Sequence, residues 1–247
     1  MRSHELVSFL DHYLSIESIE DDSNNGLQVE VEGEINTVGF AVDACMDVFR
    51  KALSEKCDLI VVHHGMIWGG IRYIRGNTFE RVHFLIKNTI GLYAVHLPLD
   101  IHKEVGNNIQ MAHLIGFGST GEFCTYKNNK IGLICEGNAP LSHIVERIDA
   151  AFNSHRLWKF GSDTCRKIGI ITGSGTYCLE AAIEEGCDTF ISGEPKHMAY
   201  HQARENKLNV LFAGHYQTET LGVKALMHKI NTIFPVTTVF LDSPTGL

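Results

Sequence analysis

The sequence has no long run of apolar residues and no excess of positive charge. Within its 247 residues, no apolar run reaches the roughly 18–20 residues that a membrane-spanning helix needs. Lysine and arginine total 21 against 29 acidic residues, a formal net charge of −8, which argues against a general basic surface for nucleic acid and leaves room only for a local patch. The acidic, amphipathic N-terminus, MRSHELVSFLDHYLSIESIEDD, lacks the basic and apolar regions of a signal peptide. We therefore expect a cytoplasmic protein without a membrane segment.

Cysteine is present, but without the spacing of a cysteine-based site. The seven cysteines are odd in number and widely spaced, and no CxxC occurs. This pattern argues against a disulfide framework and against a cysteine-based zinc site, and it favours a reducing compartment. Histidine, by contrast, is abundant at 14 residues, and several histidines fall at predicted strand ends.

The chain repeats one of its patterns. Residues 38–65 and 168–195 align without a gap, with matching apolar positions and five identical pairs: Gly39/Gly169, Ala52/Ala182, Glu55/Glu185, Cys57/Cys187 and Asp58/Asp188. Residues 91–100 and 210–219 form a second pair, in which an apolar run is followed by histidine, three residues and a carboxylate. This self-similarity predicts a duplicated α/β unit with equivalent strand ends, where open α/β sheets place their sites.

Predicted strands and helices alternate along most of the chain. The strand–helix–strand order with short joints implies parallel strands joined by right-handed crossovers. The predicted fold class is α/β, with two related units and mixed, largely parallel sheets. We expect a first unit over residues 1–116, which residues 210–247 could complete. Residues 117–209 would hold the second unit, beginning with an insert or link over 117–165.

His63 and His64 form the strongest candidate site. They end a buried strand, LIVV, and Gly65 permits a sharp exit. Adjacent strand residues point to opposite faces, but the pleat relaxes at a strand end, so that both imidazoles can turn towards one crevice. Each could then bind a different metal ion.

Carboxylates follow the strand ends of the second repeated pattern. Asp100 lies just beyond one strand and can bind a cation through oxygen, or it can cap the next helix. In the duplicate, Thr218 is predicted as an N-cap and Glu219 as the first residue of a helix, so that His215 and Glu219 can converge. A carboxylate there could bridge two cations, as two-metal hydrolytic sites require, or it could simply complement the helix dipole.

Glu194 and His96 are candidates for supporting or catalytic roles. Glu194 aligns with His64, and it could support a ligand, act as a general base or be a surface carboxylate. His96 is expected to orient the site, because metal ligands need hydrogen-bonded support. The loop TGSGT at 172–176 could hold a phosphate on its backbone amides or form a tight turn. Histidine and carboxylate ligands without cysteine suit zinc, iron, manganese or nickel.

Taken in order, these motifs resemble the GTP cyclohydrolase 1 type 2 homologues, the NIF-three-like proteins, and the chain is most similar to their short bacterial members. The resemblance covers essentially the whole chain through NGLQV at 25–29, VVHHG at 61–65, AVHLPLD at 94–100, GN at 106–107, ISGE at 191–194 and AGHYQTE at 213–219. It implies a two-domain subunit, a toroidal homohexamer and a dinuclear centre of two divalent ions. The implied ligands are His63, His64, Asp100, His215 and Glu219. The usual tryptophan–aspartate before NGLQV is replaced by DDSNNG.

Two kinds of function remain open from the sequence. The first is a metal-dependent hydrolase acting on nucleotides such as GTP, in which two cations activate water and Glu194 or His96 moves protons. The second is a protein without turnover, either a metal carrier or a ring around nucleic acid that takes part in damage protection. The negative charge does not favour the nucleic-acid ring.

Overall fold

Two β-sheets organise the chain, and each has parallel strands at its centre. A computed structural model describes residues 1–31 and 33–247. Unit 1 comprises Met1–Leu99 and Gly222–Ser243, and unit 2 comprises Asp100–Leu221 and Pro244–Leu247. The chain thus leaves unit 1 at Leu99, and a C-terminal segment returns to complete that unit.

Unit 1 is built on a five-stranded sheet with strand order β1-β4-β3-β2-β11. The strands are β1 (Gly26–Val29), β2 (Thr37–Asp43), β3 (Leu59–His64), β4 (Gly91–Ala94) and β11 (Thr237–Phe240), and the helices are α1 (Ser3–Tyr13), α2 (Met46–Ser54), α3 (Asn77–Lys87) and α4 (Leu97–Asp100). All neighbouring strands of this sheet are parallel except the edge strand β1, which is antiparallel to β4. β3 is buried along nearly all of its length, which explains its continuous apolar run.

Unit 2 contains a six-stranded sheet with strand order β5-β6-β8-β9-β10-β7. The strands are β5 (Ser119–Tyr126), β6 (Asn129–Pro140), β7 (Arg156–Trp158), β8 (Thr164–Ile170), β9 (Thr189–Ser192) and β10 (Asn209–Phe212), and the helices are α5 (Asn107–Ile115), α6 (Leu141–Phe152), α7 (Leu179–Glu184) and α8 (Ala199–Glu205). Helix α9 (His215–Ile233) begins in unit 2, and its residues from Gly222 onward belong to unit 1. β8, β9 and β10 are parallel, and β5, β6 and β7 add antiparallel pairs.

The fold class predicted from the sequence is confirmed, but residues 117–165 are not a link. They supply β5, β6, α6 and β7, all of which belong to unit 2. The segment loses the β–α alternation because its strands pair antiparallel, as a hairpin and an edge strand, and need no crossover helix. α6 still buries one apolar face through Leu141, Ile144 and Ile148, the spacing expected of an amphipathic helix.

The repeated pattern has a packing explanation that holds in both units. A Cβ added to Gly39 would lie 3.1 Å from Cys57 Sγ, and a Cβ added to Gly169 would lie 3.3 Å from Cys187 Sγ. Burial raises the pKa of each thiol to about 12, so both cysteines are protonated packing groups. The glycines therefore let the loop after each helix approach the neighbouring strand.

The repeated aspartates have equivalent hydrogen bonds. Asp58 Oδ2 accepts from the amides of Asn36 and Thr37 at 2.7 and 2.9 Å. Asp188 Oδ2 accepts from the amides of Arg166 and Lys167 at 2.8 and 3.3 Å. Each carboxylate thus ties the start of one strand to the backbone of its parallel neighbour.

One disulfide joins Cys124 on β5 to Cys178, which lies in the 3-10 turn Gly175–Cys178 before α7. The number and spacing of the cysteines argued against a disulfide framework, and for this pair the expectation is wrong. The two cysteines are 54 residues apart, so that only the folded position of the β5–β6 hairpin brings them together.

Among the helices formed by residues 1–31 and 33–247, none combines the length and hydropathy needed to cross a bilayer.

Reducing the disulfide should destabilise the protein by about 2–4 kcal/mol, because the bond restricts the unfolded chain. Urea unfolding of the oxidised and reduced protein measures this difference. The double variant Cys124→Ser/Cys178→Ser serves as the control, since its unfolding should not respond to the reductant. Equal stability of the oxidised and reduced wild type would contradict the assignment.

Candidate metal centre

His63 and His64 lie where the central parallel strands of unit 1 end. The parallel register of β2 and β3 pairs Asp43 with His64, so that a carboxylate lies beside the histidine pair. His63 is fully buried, and His64 is partly exposed. The chain therefore presents one shielded and one accessible imidazole at the same strand end.

Both imidazoles are oriented through their Nδ1 atoms. His63 Nδ1 lies 3.0 Å from the carbonyl oxygen of Val95, and His64 Nδ1 lies 2.8 Å from Asp43 Oδ1. A carbonyl and a carboxylate only accept hydrogen bonds, so each Nδ1 is the donor. The lone pair of each neutral ring is then on Nε2, the arrangement typical of metal-binding histidines.

His96 is supported in the same way, by Asp21. Its Nδ1 lies 3.0 and 3.1 Å from the two carboxylate oxygens of Asp21, which also accept from Asn25 Nδ2 and the amide of Leu97. Burial acts to raise the pKa of Asp21, but the hydrogen bond and charge of His96, with those of Asn25 and Leu97, outweigh it and hold this pKa well below its usual range. Asp21 is therefore a carboxylate that fixes the ring of His96.

The three histidines form one cluster. Each offers a ring nitrogen within 4.8 Å of those of the other two, and the ring centroids are 4.7–5.7 Å apart. Trp68 packs edge-on against His96, with a centroid distance of 4.9 Å. Imidazole nitrogens are ligands for zinc and other first-row metals, so the structure groups His96 with the predicted ligands His63 and His64.

The NGLQV segment supports this cluster through the loop after β3. Gln28 Oε1 accepts from the amides of Met66 and Ile67 at 2.8 and 3.1 Å. A Cβ added to Gly65 would lie 2.5 Å from Gln28 Nε2 and 2.6 Å from Ala94 Cβ. Gly65 is therefore required by a close approach.

In unit 2, His215 and Glu219 lie one turn apart on α9. His215 Nε2 is 3.1 Å from Glu219 Oε1, and His215 Nδ1 is 3.5 Å from Glu194 Oε2. The predicted N-cap at Thr218 is wrong, because α9 begins at His215. The Thr218 hydroxyl instead donates to the carbonyl oxygen of His215. His215 and Glu219 lie together, as the sequence predicted. The prediction placed His215 in the loop before the helix, whereas in the structure both residues belong to the first turn of α9.

Asp100 has its own support in unit 2. Its Oδ1 accepts from Asn107 Nδ2 at 2.8 Å, and the hydroxyl of Thr172 lies 3.4 Å away. Asn107 is the asparagine of the GN pair. These contacts orient the carboxylate.

The TGSGT loop supports α9. The amide of Gly173 donates to the Thr218 hydroxyl at 3.0 Å, and its carbonyl accepts from the amide of Gly193 at 2.8 Å. A Cβ added to Gly173 would lie 2.1 Å from Glu219 Oε1. The tight-turn interpretation therefore describes this loop, and the missing side chain leaves the space that the buried Glu219 carboxylate occupies.

Sequence reasoning missed the carboxylates that orient the histidines. Asp43 is the last residue of β2 and pairs in register with His64. Its position at a strand end could therefore have identified it from the sequence as a partner of the histidine pair. Asp21 stands in the DDSNNG turn, 75 residues before His96, and no local pattern indicated it. The backbone oxygen of Val95 carries no sequence signal at all.

The chain is thus a two-unit α/β protein with histidines and carboxylates gathered at strand ends, and its histidine cluster could hold a metal ion. The sequence model of Duf34/NIF3 (NGG1p interacting factor 3) matches residues 1–245. The chain belongs to this family, which confirms the resemblance drawn from the motifs.

Curated relatives match over nearly their full lengths. A protein of Archaeoglobus fulgidus named GTP cyclohydrolase 1 type 2 homolog is 45% identical, with 100% of both chains covered. A Deinococcus radiodurans protein of the same name is 37% identical, covering 98% of this chain and 94% of its own.

Solved structures show the same fold. TTHA1606 from Thermus thermophilus has a TM-score of 0.90 at 40% identity, with 100% of both chains covered. The protein ybgI, described as of unknown function, has a TM-score of 0.92 at 31% identity, again with 100% of both chains covered. Reduced HcgD from Methanocaldococcus jannaschii has a TM-score of 0.87 at 25% identity over 98% of both chains.

Replacing Gly173 by alanine should disturb the Glu219 carboxylate. Both Gly173 and Gly186 have positive φ, 60° and 73°, but a Cβ at Gly186 would meet nothing within 4 Å. Gly186→Ala therefore carries the backbone strain alone, about 1 kcal/mol. Gly173→Ala should cost about 1–3 kcal/mol more, because a side chain must be displaced, and it should bind metal more weakly.

Urea unfolding and metal titration of both variants test this difference. Equal stability and equal metal affinity of the two alanine variants would show that the Gly173–Glu219 contact is unimportant.

Proposed function

We propose that this chain is a metal-dependent hydrolase that acts on nucleotides. The observation that carries the proposal is the histidine cluster of unit 1, in which an acceptor orients Nδ1 of each ring and so directs the other nitrogen of each to metal binding. These supports orient two histidines at the end of β3 and one histidine just after β4.

The proposed centre holds two divalent ions on His63, His64, Asp100, His215 and Glu219. These ligands offer nitrogen and oxygen donors without sulfur, which fits zinc, iron, manganese or nickel. In unit 2, the space beside Gly173 and the hydrogen bonds to Asp100 keep both carboxylates oriented. When bound, two such ions lower the pKa of water and stabilise negative charge on a substrate.

Two residues of the chain support the hydrolytic step in this proposal. The carboxylate of Glu194 is one-third exposed and lies 3.5 Å from His215 Nδ1. It can therefore accept a proton at the site and release it to solvent, as a general base must. His96, with its Nδ1 held by Asp21, fixes the arrangement of the histidine cluster.

Nucleotides are the proposed substrates because of the relatives. The name that these proteins carry, GTP cyclohydrolase 1 type 2 homolog, refers to an activity on a purine nucleotide. Ring opening of a purine and hydrolysis of a phosphoester both require activated water, so either reaction suits the proposed centre.

Elemental analysis of untagged protein, paired with His63→Ala and His215→Ala, tests the centre. We expect about two metal ions per chain in the wild type and a loss of at least half in each variant. The control is His113→Ala, which removes an exposed histidine of α5. GTP and other nucleotides are then screened for hydrolysis by the metal-loaded protein.

The outcomes separate the competing functions. Bound metal that depends on both histidines, with no turnover of any nucleotide, would favour a metal carrier over a hydrolase. A folded, metal-free wild type that the substitutions leave unchanged would overturn the proposed centre.

We also propose that the protein assembles with copies of itself. The resemblance to the NIF-three-like proteins implies a toroidal homohexamer. Unit 1 has a groove of about 540 Å³ beside β1. Its lining includes Ile71, Ile74 and Ile86, which are 40%, 57% and 65% exposed. Apolar side chains grouped in this way are typical of interaction sites, and a ring of copies would cover them.

Light scattering of Ile86→Glu tests this assembly. We expect the charge to lower the mass of the particle, because an unpaired carboxylate in an apolar interface is costly. Ile233→Glu is the matched control, at an exposed isoleucine that ends α9. An unchanged mass for Ile86→Glu would exclude this groove as the interface.

A further inference from the structure

A cavity of about 440 Å³ with a mixed polar and apolar lining lies in unit 2, where β9 and β10 end. Its volume is in the range of small-molecule sites, roughly 300–1,000 Å³. Carboxyl ends of parallel strands are also where open α/β sheets bind ligands. The lining includes His155, Arg156, Glu194, Pro195, Phe212 and Gln217.

Strand register places Arg156 at this cavity. β7 is antiparallel to β10, and Arg156 pairs with Phe212. β10 is parallel to β9, and Phe212 pairs with Ser192. The first residue of β7, Arg156, therefore lies at the same sheet edge as the last residues of β9 and β10. Glu194 follows the last residue of β9 by two positions.

The cavity has a guanidinium and an imidazole at one side and a carboxylate at the other. Arg156 and His155 come from the β7 side, and His155 Nδ1 is 2.5 Å from Asp149 Oδ1. Glu194 leaves β9, on the far side of β10. Neighbouring strands are about 4.8 Å apart, so the two sides are separated by about 10 Å.

This arrangement favours a ligand with an anionic group at one end. A guanidinium binds phosphate through two parallel hydrogen bonds. A ligand that also reaches Glu194 must extend about 10 Å across the sheet edge, which a phosphorylated nucleoside can do and free phosphate cannot.

We infer that this cavity binds the phosphate end of a phosphorylated substrate, with Arg156 as the residue that anchors it and Glu194 beside the reacting end. The inference rests on the proposed function, because it names the substrate class of that hydrolase. It assigns Arg156 a role in specificity and no role in the chemical step.

Calorimetric titration with GTP, inorganic triphosphate and guanosine tests the anchor. Arg156→Gln should weaken binding of GTP and of triphosphate by about tenfold or more, as expected for a lost charge-assisted hydrogen bond. Guanosine should bind much more weakly than GTP, with no dependence on Arg156. Arg166→Gln, at an exposed arginine of β8 in the same sheet, should match the wild type.

Kinetics and metal content distinguish the anchor from a structural role. Arg156→Gln should keep its metal and its unfolding midpoint, and it should raise KM with little change in kcat. Arg156→Lys should recover part of the affinity, since it restores the charge without the forked geometry.

The inference and the proposed function can fail separately. Phosphate binding that depends on Arg156 in a protein without turnover would sustain the cavity assignment and reject the hydrolase. Nucleotide turnover with equal Kd and KM for the wild type and Arg156→Gln would overturn the cavity assignment alone. Absence of binding of GTP and triphosphate to the wild type at millimolar concentration would also overturn it.

Discussion

The histidine cluster depends on the parallel register of β2, β3 and β4. This register pairs Asp43 with His64 and Val62 with Ala94, and the amide of Val95 donates to the carbonyl oxygen of Val62 at 2.9 Å. The acceptors of the His63 and His64 Nδ1 atoms are thereby placed at the strand end by the sheet itself. Since side chains alternate along a strand, a slip of one residue would turn them to the wrong face. A buried imidazole such as His63 would then lose its hydrogen bond, at a cost of about 1–3 kcal/mol.

The two units share the same backbone packing but carry different side chains at the ends of their central strands. Gly39 with Cys57 and Gly169 with Cys187 make the same close approach, and Asp58 and Asp188 each accept hydrogen bonds from the backbone of the neighbouring parallel strand. The strand ends nevertheless differ, because His63–His64 in unit 1 corresponds to Gly193–Glu194 in unit 2. Duplication preserved the packing of the β–α–β element, while the side chains at its functional edge diverged.

Unit 2 shows how small residues create the space for polar ones. Gly173 leaves the volume that the Glu219 carboxylate fills, and its amide holds the Thr218 hydroxyl within the first turn of α9. A glycine-rich turn after a strand invites comparison with phosphate-binding loops, but here its amide is already satisfied within the protein. The cavity where β7 meets β10 is lined instead by side chains that include Arg156, the residue inferred above to anchor a phosphate.

Local patterns determined the fold class, the duplicated element and the histidine pair. Apolar runs, helical spacing and a strand end followed by glycine are all properties of neighbouring residues. Tertiary structure alone decided that Asp21 orients His96 across 75 residues, that Cys124 meets Cys178 and that residues 117–165 join the second sheet. It also decided that α9 begins at His215 and that Arg156 reaches the edge near Glu194. These features arise from strand register and from contacts between distant segments. The hydrophobic pattern of one strand does not show which strand it pairs with.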